Sequence, residues 1–243
     1  MDPRDFRVIA EKLRPVTGYI YLHILGEPLL HPDLGEILDI CALLDFKVTI
    51  VSNGTLIDSA ADILLSSKCL YKTCFSLHSY EANEHSVSLE KYLESICSFA
   101  DKSAENGVIN VLKLWNGGGK SVLNGRILEY LQNYFGCQKT DKLKSNIYLD
   151  FADKFVWPDL SEEQKNPRFC MGLRDQIGIL ADGTAVPCCL DAEGEIKLGN
   201  ILTDDINEIL NCERATGIKN GFSQGKTNEE LCRRCDFAKR RFG

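Results

Sequence analysis

Along the first two thirds of the chain, short apolar runs alternate with amphipathic stretches. Residues 2–13 read as a helix, with Asp2 at the N-cap and Pro3 at the first helical position. The run 19–25 (YIYLHIL) is rich in aromatic and β-branched residues and reads as a strand. Apolar residues at 34, 37, 38, 40, 41, 43 and 44 predict a well-buried helix. A second strand, 47–51 (KVTIV), ends at Ser52-Asn53-Gly54 and leads to a short helix over 58–66. A strand over 71–77 (YKTCFSL), a helix over 89–104, a strand over 108–115 (VINVLKLW), a helix over 123–135 and a fifth strand over 147–151 (IYLDF) follow.

Strands alternating with helices of this length predict βαβ units and a parallel sheet. The near-continuous apolar strands suit a sheet covered on both faces. In such sheets ligands bind beyond the carboxyl ends of the strands. The punctuating residues fall there: Gly26-Glu27-Pro28, Ser52-Asn53-Gly54, Leu77-His78-Ser79 and Trp115-Asn116-Gly117. About five repeats are too few for a closed eight-stranded barrel, so the predicted fold class is α/β with a partial, TIM-like barrel. The pattern changes after Trp157-Pro158. Residues 176–181 (QIGILA) and 184–190 (TAVPCCL), joined through Asp182-Gly183, read as a β-hairpin. Residues 204–214 read as a helix. The predicted domains are 1–158 and 159–243.

Composition narrows the function classes. The 243 residues carry 28 Lys+Arg against 35 Asp+Glu, a net charge of −7. That balance lacks the basic footprint of a general nucleic-acid binder. No apolar run approaches the roughly 18 residues of a membrane helix, and the N-terminus has no signal-peptide core. The expectation is a cytoplasmic protein with neither membrane nor nucleic acid as partner. Eleven cysteines are then unusual. In a reducing compartment they are read as thiols, metal ligands or catalytic groups rather than disulfides.

Six of the eleven, Cys212 among them, lie beyond residue 158. Cys232 and Cys235 form C-x2-C, a spacing that turns two thiolates toward one ion or cluster. Cys170 precedes the hairpin and Cys188 lies on its return strand, with Gly183 at the turn between them. Four thiolates from two segments suit tetrahedral zinc or an iron–sulfur cluster, so Cys170, Cys188, Cys232 and Cys235 are the candidate metal ligands. Cys189 rivals Cys188; neighbours on a strand point to opposite faces, which leaves room for only one of them. The bland alternative is that each packs as a small buried hydrophobe, and Cys41, Cys69, Cys74, Cys97, Cys137 and Cys212 are read that way, as core or surface thiols.

These segments resemble a known family. Gly183-Thr184-Ala185-Val186-Pro187-Cys188-Cys189-Leu190-Asp191, Leu198-Gly199-Asn200-Ile201 and Cys232-Arg233-Arg234-Cys235 look like a SPASM (or shorter twitch) domain, the auxiliary iron–sulfur domain of many radical S-adenosylmethionine (SAM) enzymes. The upstream part is similar to their partial (β/α)6 barrel. Leu25-Gly26-Glu27-Pro28-Leu29-Leu30-His31-Pro32 resembles the motif after the second barrel strand, usually Gly-Gly-Glu-Pro, and Ser52-Asn53-Gly54 resembles the Thr-Asn-Gly after the third. The resemblance covers essentially the whole chain. One departure stands out: the family's C-x3-C-x2-C, which holds the SAM-binding [4Fe-4S] cluster, occurs nowhere in this sequence. The chain is therefore expected to lack the first barrel strand and its cluster loop, and to be inactive by itself.

The resemblance implies two cofactors, an auxiliary [4Fe-4S] cluster and SAM, the latter without its cluster ligands in this chain. It implies that the intact enzyme cleaves SAM to a 5′-deoxyadenosyl radical and abstracts hydrogen from a substrate, small molecule or peptide. Flavodoxin or ferredoxin is the implied electron donor. By the same resemblance, Gly26, Glu27 and Pro28 would meet the SAM ammonium, Ser52 and Asn53 the ribose, and Ser76 and Lys113 the ribose hydroxyls and the SAM carboxylate. Each has a structural alternative: Glu27 as a solvated turn carboxylate, Asn53-Gly54 as a turn only, Ser76 as a backbone-satisfied core hydroxyl, Lys113 as an outward strand residue. His31 and His78 lie in neighbouring loops, and neither is assigned as a base. No catalytic residue is assigned. The competing function class is a non-catalytic metal module, binding zinc or an iron–sulfur cluster and acting through a partner.

Overall fold

A computed structural model describes residues 1–82, 87–119, 121–137 and 141–242. Helix α1 (Pro3–Leu13) starts as its sequence dictates. Asp2 Oδ1 accepts from Asp5 N at 2.9 Å, and Pro3 stands where no amide donor is needed. After it the strands and helices alternate: β1 (Tyr19–Leu22), α2 (Leu34–Leu43), β2 (Lys47–Ser52), α3 (Ile57–Ser66), β3 (Leu70–Ser76), α4 (Leu89–Glu105), β4 (Ile109–Gly117), α5 (Asn124–Phe135), β5 (Lys142–Lys144) and β6 (Ile147–Asp153). Short 3-10 turns follow β1 at Pro28–Leu30 and β3 at Leu77–Ala82. The chain divides into two compact units, one Thr17–Lys154, the other Met1–Val16 together with Phe155–Gly243.

In the unit Thr17–Lys154 the six strands form one sheet in the order β1-β2-β3-β4-β6-β5. The first five pair in parallel and β5 adds antiparallel to β6. This is the α/β fold with a parallel sheet expected from the alternation. Among the described residues the sheet keeps two edges, β1 and β5. Register sorts its faces. Leu22, Ile50, Thr73, Phe75, Asn110, Leu112 and Leu149 share one face, where Phe75 meets Phe99 of α4 edge to face at 5.8 Å. A buried polar knot locks this layer. Thr73 Oγ1 donates to Asn110 Oδ1 at 2.7 Å, and Ser103 Oγ donates to the same oxygen at 3.0 Å. Asn110 Nδ2 donates to Ala100 O and Val108 O. The knot meets the rule that buried polar groups find partners.

The other face carries Thr49, Lys72, Cys74, Ser76, Lys113 and Asp150 in register across neighbouring strands. On β4 the exposure alternates: Leu112 and Leu114 are buried, Lys113 and Trp115 half-buried. The strands are thus less evenly apolar than a sheet covered on both faces would require.

In the second unit, β7 (Gly178–Ile179), β8 (Thr184–Val186) and β9 (Gly199–Asn200) form an antiparallel sheet. The Asp-Gly turn is present. Asp182 Oδ1 accepts from Thr184 N at 2.9 Å. Gly183 has φ +84°, and a Cβ there would lie 2.6 Å from Asn200 Oδ1. The helix expected over 204–214 is two helices, α6 (Ile206–Asn211) and α7 (Glu213–Ser223). They part at Cys212, whose ψ of 159° breaks the helix and whose Sγ caps α7 by accepting from Ala215 N. Helices α8 (Glu230–Arg233) and α9 (Asp236–Phe242) end the unit.

Helix α1 belongs to this second unit, not to the sheet with which the sequence grouped it. It buries Phe6, Ile9, Ala10 and Leu13. Lys12 Nζ donates to Ile201 O, Leu202 O and Asp204 O at 2.7, 3.2 and 3.0 Å.

Candidate functional site

In the second unit the hairpin and the short helix α8 supply sulfur. Cys170 precedes the hairpin. Cys188 follows β8 two residues after Val186, in a turn with Cys189. The alternation of strand faces therefore does not separate the two. Besides the adjacent Cys189, the charges of Cys170 and Cys235 reach Cys188, and those of Cys188, Cys170 and Cys235 reach Cys232. A Cβ on Gly172 would stand 3.7 Å from Cys170 Sγ and 3.9 Å from Cys188 Cβ, so both cysteines border one point. The structure thus brings Cys170, Cys188, Cys232 and Cys235 into one neighbourhood.

Burial dominates the thiols' chemistry. It pushes Cys188 up to about 12 and Cys235 to about 11, and raises Cys232 and Cys170, with mutual repulsion adding to the rise at Cys188, Cys232 and Cys235. Four like groups desolvated together gain most from a cationic centre that takes their protons' place. Among the described residues no group of three or more His, Cys, Asp or Glu side chains is gathered to hold a single metal ion. The four thiols are neighbours without standing at single-ion distances. A donor set of four sulfurs from two segments suits the ligand chemistry of an iron–sulfur cluster. Among the described residues the eleven cysteines form no disulfide.

In the other unit the polar residues collect at the carboxyl ends of β1 to β4. Gly26 has φ +85°, and Ile24, a β-branched residue, has φ +95°. A left-handed β-branched residue marks local strain. Glu27 spans two strand ends. Its Oε1 accepts from Leu29 N at 3.1 Å and its Oε2 from Asn53 N at 2.8 Å, which ties the turn after β1 to the end of β2. Pro28 begins the 3-10 turn. Ser52 is buried, and its Oγ accepts from Gly54 N at 2.9 Å. Asn53 Oδ1 accepts from Thr55 N and Oγ1, while Asn53 O accepts from Tyr92 OH at 2.6 Å. Glu27, Ser52 and Asn53 thus spend much of their hydrogen-bonding capacity on the backbone of these turns.

Ser76 and Lys113 pair in register on β3 and β4. The Lys113 ammonium lies over the Trp115 ring at 4.4 Å from its centroid. The indole Nε1 donates to Asp150 Oδ2 at 3.0 Å. His78 Nδ1 stands 3.3 Å from both Trp115 N and Lys113 O, accepting from the amide in one tautomer and donating to the carbonyl in the other. Burial lowers the pKa of both His23 and His78, and the Lys113 charge lowers each further. All seven residues Gly26, Glu27, Pro28, Ser52, Asn53, Ser76 and Lys113 lie at this one end of the sheet. Sequence reasoning assigned no role to Trp115, Asp150 and His23, whose grouping depends on register between strands distant in sequence.

Comparison with known proteins agrees with this layout. Residues 170–236, which include all four clustered cysteines, match the SPASM family, an iron–sulfur cluster-binding domain. No curated protein sequence matches the chain. Among solved structures, Streptococcus suis SuiB bound to S-adenosylmethionine superposes with a TM-score of 0.55 at 18% identity, covering 97% of this chain and 65% of SuiB. BtrN in complex with S-adenosylmethionine and 2-DOIA gives 0.53 at 17% identity, covering 97% and 80%. Histidine-tagged anSMEcpe with bound S-adenosylmethionine gives 0.52 at 15% identity, covering 98% and 79%. The chain spans less than two thirds of SuiB's length. The chain shares the fold of these proteins, and its residues 170–236 match the SPASM iron–sulfur cluster-binding domain.

Proposed function

We propose that the chain has the build of a radical SAM protein of SPASM type, and that SAM cleavage needs C-x3-C-x2-C cluster ligands that this sequence does not contain. Cys170, Cys188, Cys232 and Cys235 hold one auxiliary [4Fe-4S] cluster, and the strand ends of the Thr17–Lys154 unit bind SAM. The observation that carries this reading is the mutual neighbourhood of those four thiols within the stretch that matches the SPASM family. When bound and supplied with an electron, SAM provides hydrogen-abstracting chemistry; a flavodoxin or ferredoxin suits the donor's role.

The chain's own residues bind and orient. The left-handed Gly26 turn offers backbone carbonyls to the SAM ammonium, and Glu27 holds that turn against β2. Ser52, Asn53 and Ser76 offer oxygens at the ribose. Lys113 directs its ammonium at the carboxylate, steadied by the Trp115 face. The substrate is a peptide or a small molecule: SuiB was solved with its precursor peptide SuiA, and BtrN with 2-DOIA.

Anaerobic reconstitution with iron and sulfide tests the cluster. The expected result is about four irons and four sulfides per chain, with thiolate-to-iron absorption. Cys232→Ser and Cys235→Ser release the iron, and Cys137→Ser retains it. One zinc per chain with no sulfide overturns the assignment in favour of a zinc module. Equilibrium dialysis against labelled SAM tests the other half: Lys113→Met weakens binding if the ammonium meets the carboxylate.

A further inference from the structure

One face of the sheet in the unit Thr17–Lys154 carries an excess of positive charge. Register sets Lys47, Lys72, Lys113 and Lys142 on the same face as Ser76 and Asp150. Asp150 is the one carboxylate among the described strand residues of that face, although the chain as a whole has a net charge of −7. Aromatic rings hold three of the ammoniums without neutralising them. Lys47 Nζ lies 5.6 and 5.3 Å from the ring centroids of Tyr19 and Tyr71, Lys113 Nζ 4.4 Å from that of Trp115, and Lys142 Nζ 5.9 Å from that of Tyr148. Asp150 stands directly beside Lys113 in the register of β4 and β6, where opposite charges attract. The indole intervenes: its face takes the ammonium, and its Nε1 donates to Asp150 Oδ2 at 3.0 Å.

Lys72 is the fourth. It is half-buried, and among the described residues its ammonium has no ion-pair, hydrogen-bond or ring partner. A partly buried charge without a partner costs free energy that an opposite charge recovers. Lys72 pairs with Ile109, four residues before Lys113, so it lies about 13 Å back along the strands from the row of Ser76 and Lys113. Cys74 stands between the two rows. Burial raises its thiol, and the Lys113 and Lys72 charges both lower it, so both ammoniums act on the ground between them. Solvent reaches this face directly: Tyr19 and Tyr21, which pair with Lys47 and Thr49, are 48% and 55% exposed, and Lys113 and Trp115 are half-buried.

We propose that this face binds an oxyanion, a carboxylate or a phosphate group, on Lys72, and that the molecule placed beside SAM is therefore acidic. The second clause rests on the reading that SAM occupies the strand ends. Lys113 then meets the SAM carboxylate at the rim, and Lys72, deeper on the same face, meets the anionic group of the second molecule. Trp115 serves both by keeping Asp150 from neutralising the face. The ligand supplies the negative charge that the strands of this face withhold, and its acidity is what selects it from uncharged molecules of the same shape.

The test is equilibrium dialysis of the full chain against labelled glutarate and labelled inorganic phosphate at constant ionic strength, with unlabelled glutaramide as the uncharged competitor. Saturable binding of at least one anion is expected, not displaced by glutaramide; which anion binds separates carboxylate from phosphate. Lys72→Met should weaken binding about ten-fold or more, the loss of one charge-assisted hydrogen bond. Lys72→Arg keeps the charge and should retain binding. Lys102→Met removes an exposed lysine from α4 and should leave it unchanged. Urea midpoints show that each variant is folded. The proposal is overturned if neither anion binds saturably, if glutaramide displaces glutarate, or if Lys72→Met and Lys102→Met lose binding equally. Dialysis of the same chain against labelled SAM keeps the two readings apart. A chain that binds SAM but neither anion loses the oxyanion site alone; one that binds an anion through Lys72 but no SAM keeps the site and loses the SAM reading.

Discussion

Glu27 gives the sharpest test of how the proposed SAM-binding end is built, because both of its carboxylate oxygens accept backbone amides. Replacing it by alanine leaves Leu29 N and Asn53 N without their acceptor. A hydrogen bond to a charged group contributes about 1.5–3 kcal/mol. The site is only part-buried, so water recovers some of each loss, and the sum expected for Glu27→Ala is about 2–4 kcal/mol. Glu27→Gln keeps one oxygen and turns an NH2 donor toward the other amide, so about 1–2 kcal/mol is lost. The chain's two tryptophans allow the unit to be followed by itself: Trp115 lies in Thr17–Lys154 and Trp157 in the other unit. Urea unfolding monitored by Trp115 fluorescence in a Trp157→Phe background reads the loss directly. If Glu27→Ala costs less than about 0.5 kcal/mol, the range of an ordinary surface change, Glu27 is a solvated carboxylate and the clamp does not exist. If both variants are destabilised as stated yet bind SAM as well as the native chain, Glu27 braces the turn and makes no contact with the ammonium.

Other consequences can be checked in the same assays. Asn110→Ala strips an acceptor from both Thr73 and Ser103 in a fully buried layer. It should cost about 3 kcal/mol, read as a lower urea midpoint for the Trp115 transition. Lys12→Met removes a donor to three carbonyls and should lower the stability of the other unit, read by Trp157, by about 1–2 kcal/mol, while leaving the Trp115 transition in place. His23 and His78 both sit below the ordinary value of 6.5, chiefly through burial. The unfolded chain therefore takes up their protons first: their contribution is complete above about pH 6.5 and falls as the pH drops below it. His78→Gln should flatten that loss of stability as the pH falls below about 6.5, and an unchanged slope refutes the buried neutral imidazole.

What could be read from the sequence was what short-range pattern encodes. The alternation of apolar runs with amphipathic segments yields β1 to β4, β6 and the helices between them within a few residues, because each element repeats its own period. Strand β5 escaped, since Lys142-Leu143-Lys144 offers one apolar residue and no period to detect. Strand β9 is two residues long and exists only through its pairing with β8. The break at Cys212 was invisible because a cysteine is not a recognised cap, although here its sulfur accepts the amide that Ser or Asp would. The placement of α1 shows a limit of another kind. Phe6, Ile9, Ala10 and Leu13 announce an amphipathic helix, but an apolar stripe does not say which core it will enter; the three carbonyls around Lys12 do, and they come from 189 to 192 residues away. The sulfur neighbourhood combines both situations. C-x2-C is a local signal, whereas strand alternation said only that one of Cys188 and Cys189 could ligate, and β8 stops at Val186. Cys188 lies in a turn that sets it beside Cys170 across Gly172, a contact made by tertiary folding. The same holds for Lys113, Trp115, His78 and Asp150: unremarkable one at a time, they become a site through the parallel register that stacks β3, β4 and β6. Residues that act through register can be proposed from sequence only where a resemblance already names them, which is why Ser76 and Lys113 were candidates from the outset and Trp115 and Asp150 were not.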